Sequence, residues 1–157
     1  MAGRVATRLV ELGLELPAVA TPVAAYVPAV LDGDHVWTSG QLPMVDGKLA
    51  ATGKVGEGDG LVDPAEAARL ARVCALNALA AVQSVIGDLD LVARVVKVVG
   101  FVASDPAFTG QPKVINGASE LLGEVFGERG AHARSAVGVA VLPLDAPVEV
   151  EVVVSLA

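Results

Sequence analysis

Arg134 has the type and setting in this chain that most invite chemistry: it stands at the head of a very apolar run, A-R-S-A-V-G-V-A-V-L. A guanidinium there either reaches solvent at a strand end or sits in a pocket, where it needs an anionic partner. In a pocket its planar fork would match a carboxylate bidentately, so the chemistry would be the anchoring of a small carboxylic acid. Most charged side chains are exposed, and nothing local decides between the two readings. Glu149 and Glu151 alternate with Val148, Val150, Val152 and Val154. A half-solvated strand shows this alternation, whereas a carboxylate closed into a site would orient or deprotonate a water. Both glutamates share one strand face, so spacing does not separate them.

Other polar residues have quieter readings. Ser39-Gly40-Gln41 follows a β-prone run and reads as a strand-to-loop turn. Tyr26, the only tyrosine, reads as a core or interface ring with a satisfied hydroxyl. Asn116, early in a helical segment, suits a cap or a local hydrogen-bond network, and Asn77 a satisfied buried amide. His35 and His132 lack metal-ligand spacing and have no nucleophile pattern around them, so both read as structural or exposed. Cys74 falls on a small-residue stripe and reads as core. There is no phosphate-cradling loop, dinucleotide fingerprint or zinc-ligand cluster, and the expected cofactor complement is none.

The elements that must position these groups follow from periodicity. Val5, Leu9, Leu12 and Leu16 predict a short amphipathic helix over 4–14. A-A-Y-V-P-A-V-L and H-V-W-T-S-G, separated by Asp32-Gly33-Asp34, predict a hairpin. Residues 43–62, with five glycines among charges, read as a long surface loop with at most a short strand. Asp63-Pro64-Ala65-Glu66 predicts a capped helix start with a capping box, and that helix runs to about Ile86 before Gly87. R-V-V-K-V-V-G-F-V-A, apolar on both faces, predicts a central strand. A loop with Pro106 and Pro112 leads to a helix over Val114–Phe126, and two strands, S-A-V-G-V-A-V-L and V-E-V-E-V-V-V-S-L, close the chain.

This α–β–β–α–β–α–β–β order does not alternate strictly. It predicts an α+β fold, a mixed sheet with two long helices on one face and a short N-terminal helix. The chain, 157 residues long, suits one domain, with 1–21 as an accessory helix and lead-in. The other sheet face, still rich in Val, needs a cover, and self-association supplies one. Acidic residues outnumber basic ones 18 to 11, a net charge of −7, which repels a phosphate backbone and argues against nucleic-acid binding. A lone cysteine and no secretory pattern at the N-terminus fit a cytoplasmic protein. The longest uncharged stretches, 16–31 and 73–87, fall short of the ~18–20 apolar residues of a bilayer span, so no membrane partner is expected.

Taken together, Tyr26, Ser39-Gly40-Gln41, the Asn77 helix, R-V-V-K-V-V-G-F-V-A-S-D, Asn116 and R-S-A-V-G-V-A-V-L-P-x(4)-V-E-V-E resemble the Rid (YjgF) family of enamine/imine deaminases over roughly residues 22–157. The resemblance implies a chorismate-mutase-like fold and a homotrimer with three clefts between subunits. It also implies hydrolysis of 2-imino acids, formed from enamines such as 2-aminoacrylate, to 2-keto acids and ammonia. By the same resemblance Arg134 would bind the substrate carboxylate and Glu149 would orient the water. Tyr26, Ser39, Gly40, Asn116 and Ala136 would line the cleft. Ala136 stands where archetypal members often carry Cys, and Gly138 where many carry Glu. A non-catalytic trimer that binds a small carboxylate and regulates a partner is the alternative; ribonuclease activity fits the acidic chain less well.

Overall fold

Two valine-rich stretches form the interior of the sheet. In the computed structural model, which describes residues 2–22 and 24–157, the strands are β1 (Ala29–Asp32), β2 (His35–Thr38), β3 (Met44–Val45), β4 (Lys48–Leu49), β5 (Val92–Ala103), β6 (Ala133–Val139) and β7 (Val148–Leu156). Five of them make one sheet in the order β1-β2-β7-β5-β6, and β3 and β4 form a separate small hairpin. β5 is an interior strand, as its two-faced apolar sequence predicts, with β7, the middle strand, antiparallel on one side and the edge strand β6 parallel on the other. β1 and β2 close through Gly33 and Asp34, and Gly33 takes φ +61° at the first central position of this two-residue turn. The first strand is shorter than the sequence suggests and begins only after Pro28, which has no N–H for the ladder.

Of the three helices, α1 (Arg4–Glu11), α2 (Pro64–Ile86) and α3 (Gln111–Phe126), the two long ones pack on one face of the sheet and α1 packs against α3. Asp63 caps α2 by accepting from the Ala65 N–H at 2.8 Å, a contact worth ~1 kcal/mol. The expected capping box does not close. Glu66 instead receives Arg69 at 2.6 and 2.9 Å, because a charge-assisted pair one turn ahead outcompetes a neutral backbone N–H. α3 starts a turn earlier than predicted, since Pro112 is tolerated in the first turn. The small-residue stripe of α2 lets α3 approach so closely that a Cβ on Gly117 would overlap the Ala68 carbonyl. α1 has no cap of its own; Asp90 supplies one across the fold, accepting from the N–H groups of Arg4 at 2.7 Å and Val5 at 2.8 Å. The Val5 and then the Arg4 amide hold the Asp90 carboxyl below its ordinary range.

The helices cover the alternate residues Val148, Val150, Val152 and Val154 of β7 and Val98 and Val102 of β5, all buried. Side-chain alternation therefore sends Val99, Phe101, Glu149 and Glu151 to the opposite face, where Trp37 and Val137 are also exposed. Among the described residues no helix covers that face. α2 is long and apolar enough by composition to cross a bilayer, which the uncharged runs alone did not suggest, but 56% of that window is buried within the fold.

Candidate functional site

Arg134 pairs with Val98 in the β5–β6 ladder, so it projects to the helix side of the edge strand. There Nη1 donates to Asn116 Oδ1 at 2.8 Å and to Ser119 Oγ at 3.3 Å. Asn116 and Ser119 stand three residues apart on α3 and so share one helix face. Both partners are neutral. Among the described residues no Asp or Glu forms an ion pair with Arg134. The structure therefore selects neither sequence reading outright: Arg134 is half-buried, anchored at one nitrogen, and its charge has no counter-ion among the described residues.

Glu149 pairs with Phe101 and lies on the other face of the sheet. Its carboxylate rests directly on Gly40, where a Cβ would overlap Oε1. Burial and then the Glu151 charge push the Glu149 carboxyl above its ordinary range. Gln41, which sequence reading took for part of a turn, locks this arrangement. Its N–H donates to the Val150 carbonyl at 2.8 Å and its carbonyl accepts from the Val150 N–H at 3.0 Å. Ser39 Oγ donates to the Val27 carbonyl at 2.6 Å and tethers the Tyr26 segment to the same corner. Asn77 is the satisfied amide expected of it, donating to the Leu42 and Met44 carbonyls at 3.1 Å each. Gly40→Ala is accordingly expected to displace the Glu149 carboxylate with little effect on the fold. A crystal structure of the variant reads the displacement, and an unmoved carboxylate would show that the contact is not what positions it.

A cavity of about 500 Å3 opens beside this corner, lined by Pro17, Tyr26, Gly40, Leu42, Met44 and Asn77 among others. Tyr26 is not a core ring: it is 46% exposed at the rim. The candidate residues thus fall into two groups, Tyr26, Ser39, Gly40 and Glu149 in one and Arg134 with Asn116 in the other. The groups are on opposite sheet faces. β5 lies between their strands, so ~10 Å of sheet separates them before the three-residue offset along the strands is added. Ala136 joins neither group; it pairs with Gly100 and packs against the core. The space beside Gly138 holds the Gln111 amide, which donates to Ser104 Oγ at 3.1 Å and the Phe108 carbonyl at 2.8 Å. Ser119 went unread in the sequence, and His132, read there as structural or exposed, stands two residues before Arg134 and on extended backbone shares its side. Among the described residues no three His, Cys, Asp or Glu side chains are grouped to hold a metal ion.

The family described as "YjgF/chorismate mutase-like, putative endoribonuclease" matches residues 6–156. The chain belongs to that family. A Trypanosoma cruzi relative, Protein TCP17, is 48% identical over 155 residues, 98% of this chain and 95% of that one. Among solved structures, the Agrobacterium tumefaciens protein Atu1372, of unknown function, is 48% identical with a TM-score of 0.89, over 98% of this chain and 93% of that chain. A Shewanella oneidensis protein that bears the endoribonuclease label is 34% identical with a TM-score of 0.92, over 97% and 99%. Escherichia coli TdcF, solved with bound serine, is 27% identical with a TM-score of 0.58, over 89% and 94%. The fold is thus the family's chorismate-mutase-like one. The near-complete overlap with the first two structures takes in the N-terminal segment that closes the cavity beside Gly40.

Proposed function

We propose that this protein hydrolyses 2-imino acids, and the enamines from which they form, to 2-keto acids and ammonia, in clefts between the subunits of a homotrimer. The observation that carries this reading is the guanidinium of Arg134, half-buried yet held only by neutral acceptors, whose charge is left for an incoming carboxylate. A small carboxylate is the natural partner, in keeping with the serine bound to the related TdcF. Because Arg134 and Glu149 occupy opposite faces of one sheet, a cleft containing both needs the Arg134 edge of one protomer beside the Gly40 corner of the next. The uncovered face with Trp37, Phe101 and Val137 provides the apolar surface for such an assembly.

In this cleft Arg134 fixes the imino acid through its carboxylate. Glu149 takes a proton from a water as its oxygen bonds to C2, giving a tetrahedral carbinolamine. The same carboxyl then returns the proton to nitrogen and, with the imine taken up in its protonated form, accepts the remaining hydroxyl proton as the C2–N bond breaks, so that the oxygen becomes the ketone and ammonia leaves. A carboxyl whose affinity for protons is raised by burial suits both halves of this exchange better than a solvated one. The endoribonuclease label of the family fits this chain less well, since a net charge of −7 disfavours approach to a phosphate backbone.

The test is turnover of freshly generated 2-iminopropanoate and 2-iminobutanoate, followed through the keto acid, with the mass in solution measured by light scattering. Turnover by an assembly of three 15.8 kDa chains is the expected result. A monomer at micromolar concentration would remove the composite cleft. An intact trimer that binds 2-ketobutyrate and turns over neither imine would make it a carboxylate-binding regulator instead.

A further inference from the structure

We propose that Ser119 and His132 form a hydrogen-bonded relay that fixes the orientation of the Arg134 guanidinium and leaves its Nε–Nη2 edge as the carboxylate-binding fork. The inference deepens the reading of Arg134 as anchor and rests on it. His132 Nδ1 lies 2.6 Å from the Gly130 carbonyl, and its Nε2 lies 2.9 Å from Ser119 Oγ. A carbonyl only accepts, so the neutral ring carries its hydrogen on Nδ1 and offers a lone pair at Nε2. Ser119 must then donate its hydroxyl hydrogen to His132. That turns the Ser119 lone pairs away from the ring, and one of them receives Arg134 Nη1 at 3.3 Å.

The count of donors gives the consequence. Nη1 has two hydrogens, and both are engaged, one by Asn116 Oδ1 and one by Ser119 Oγ. Among the described residues the side-chain hydrogen bonds of Arg134 are all made by Nη1. Nε–H and one Nη2–H remain parallel, which is the edge that meets a carboxylate side-on. The relay comes from two short-range patterns brought face to face: Asn116 and Ser119 three apart on a helix, and His132 and Arg134 two apart on extended chain. Ser119 and His132 are thus positioning residues, and neither touches the substrate.

The relay can be separated from a pin that only ties α3 to residues 130–134. Calorimetry with 2-ketobutyrate is expected to show about tenfold weaker binding for Ser119→Ala, a smaller loss for His132→Phe, and no further loss when the two are combined. Ser119→Thr, which keeps the hydroxyl, restores affinity to within about twofold of wild type. In the imine assay KM rises with the loss of affinity while kcat is nearly unchanged, because the Glu149 step is untouched. The imidazole 15N spectrum of the wild-type protein at alkaline pH shows His132 protonated at Nδ1. Unchanged affinity in folded Ser119→Ala, additive losses in the pair, or a hydrogen on Nε2 overturns the relay; the spectrum decides even where a variant fails to fold. Wild-type affinity in Arg134→Ala would remove the anchor and the relay together. Lost affinity there with normal binding in Ser119→Ala removes the relay alone.

Discussion

Replacing Arg134 by Ala is expected to weaken 2-ketobutyrate binding by about 10- to 100-fold, the worth of a charge-assisted hydrogen bond, and to lower imine turnover at least as far. Arg134→Lys should fall between, since a point charge cannot reproduce a two-donor edge, nor the double engagement of Nη1 by Asn116 and Ser119. The assembly should survive both changes. Arg134 sits at the edge strand, and its polar head is tied to α3 rather than built into the apolar core. Calorimetry, the coupled keto-acid assay and light scattering on the same preparations check the three parts. Full ligand affinity in an intact Arg134→Ala assembly would dismiss the anchor.

Glu149→Gln is expected to lower kcat by roughly 10²–10⁴-fold, the usual contribution of a positioned acid–base group, with 2-ketobutyrate affinity nearly unchanged. The wild-type pH profile of kcat/KM should have its acid limb above the ordinary carboxylate range, because burial and then the Glu151 charge raise the Glu149 carboxyl. Glu151→Gln removes the second of these causes and should move that limb to lower pH while leaving the plateau rate close to wild type. A larger loss of turnover in Glu151→Gln than in Glu149→Gln would transfer the role by two residues. Stability should move the opposite way to activity. A carboxyl raised in the folded state binds its proton more tightly there than when unfolded. Its contribution to stability is therefore lost as pH rises from the unfolded value through the folded one. At pH 7 Glu149→Gln removes that burden, and thermal unfolding should shift to higher temperature.

Much of the fold was legible because its signals are local. The Val–Glu alternation defines β7 and its two faces, Asp63-Pro64 starts α2, and the two-faced apolar run 92–103 announces a central strand. Each of these is a property of backbone geometry within about one helical turn or a few strand residues. Even there, a local rule failed when a stronger partner was near: Glu66 paired with Arg69 in place of closing its box. The small β3–β4 hairpin was also lost among glycines in a segment read as loop.

The chain alone named Arg134, Asn116, Gly40 and Glu149 as candidates, and family resemblance gave them roles, but their spatial grouping depended on tertiary packing. Which face of the sheet Arg134 occupies is fixed by its pairing with Val98, and its contact with Asn116 spans 18 residues of sequence. Glu149, distinguished from Glu151 in the sequence by the resemblance alone, is the one whose carboxylate meets the backbone of Gly40, brought beside it by the Gln41–Val150 pairing. Ser119 and His132 gave no signal of their own, because a serine on a helix and a histidine before a strand are unremarkable until the two surfaces meet. Strand and helix periods determine which way a side chain points relative to its neighbours in sequence. Only the register of strand pairing and the docking of α3 on the sheet decide which distant side chains it then faces.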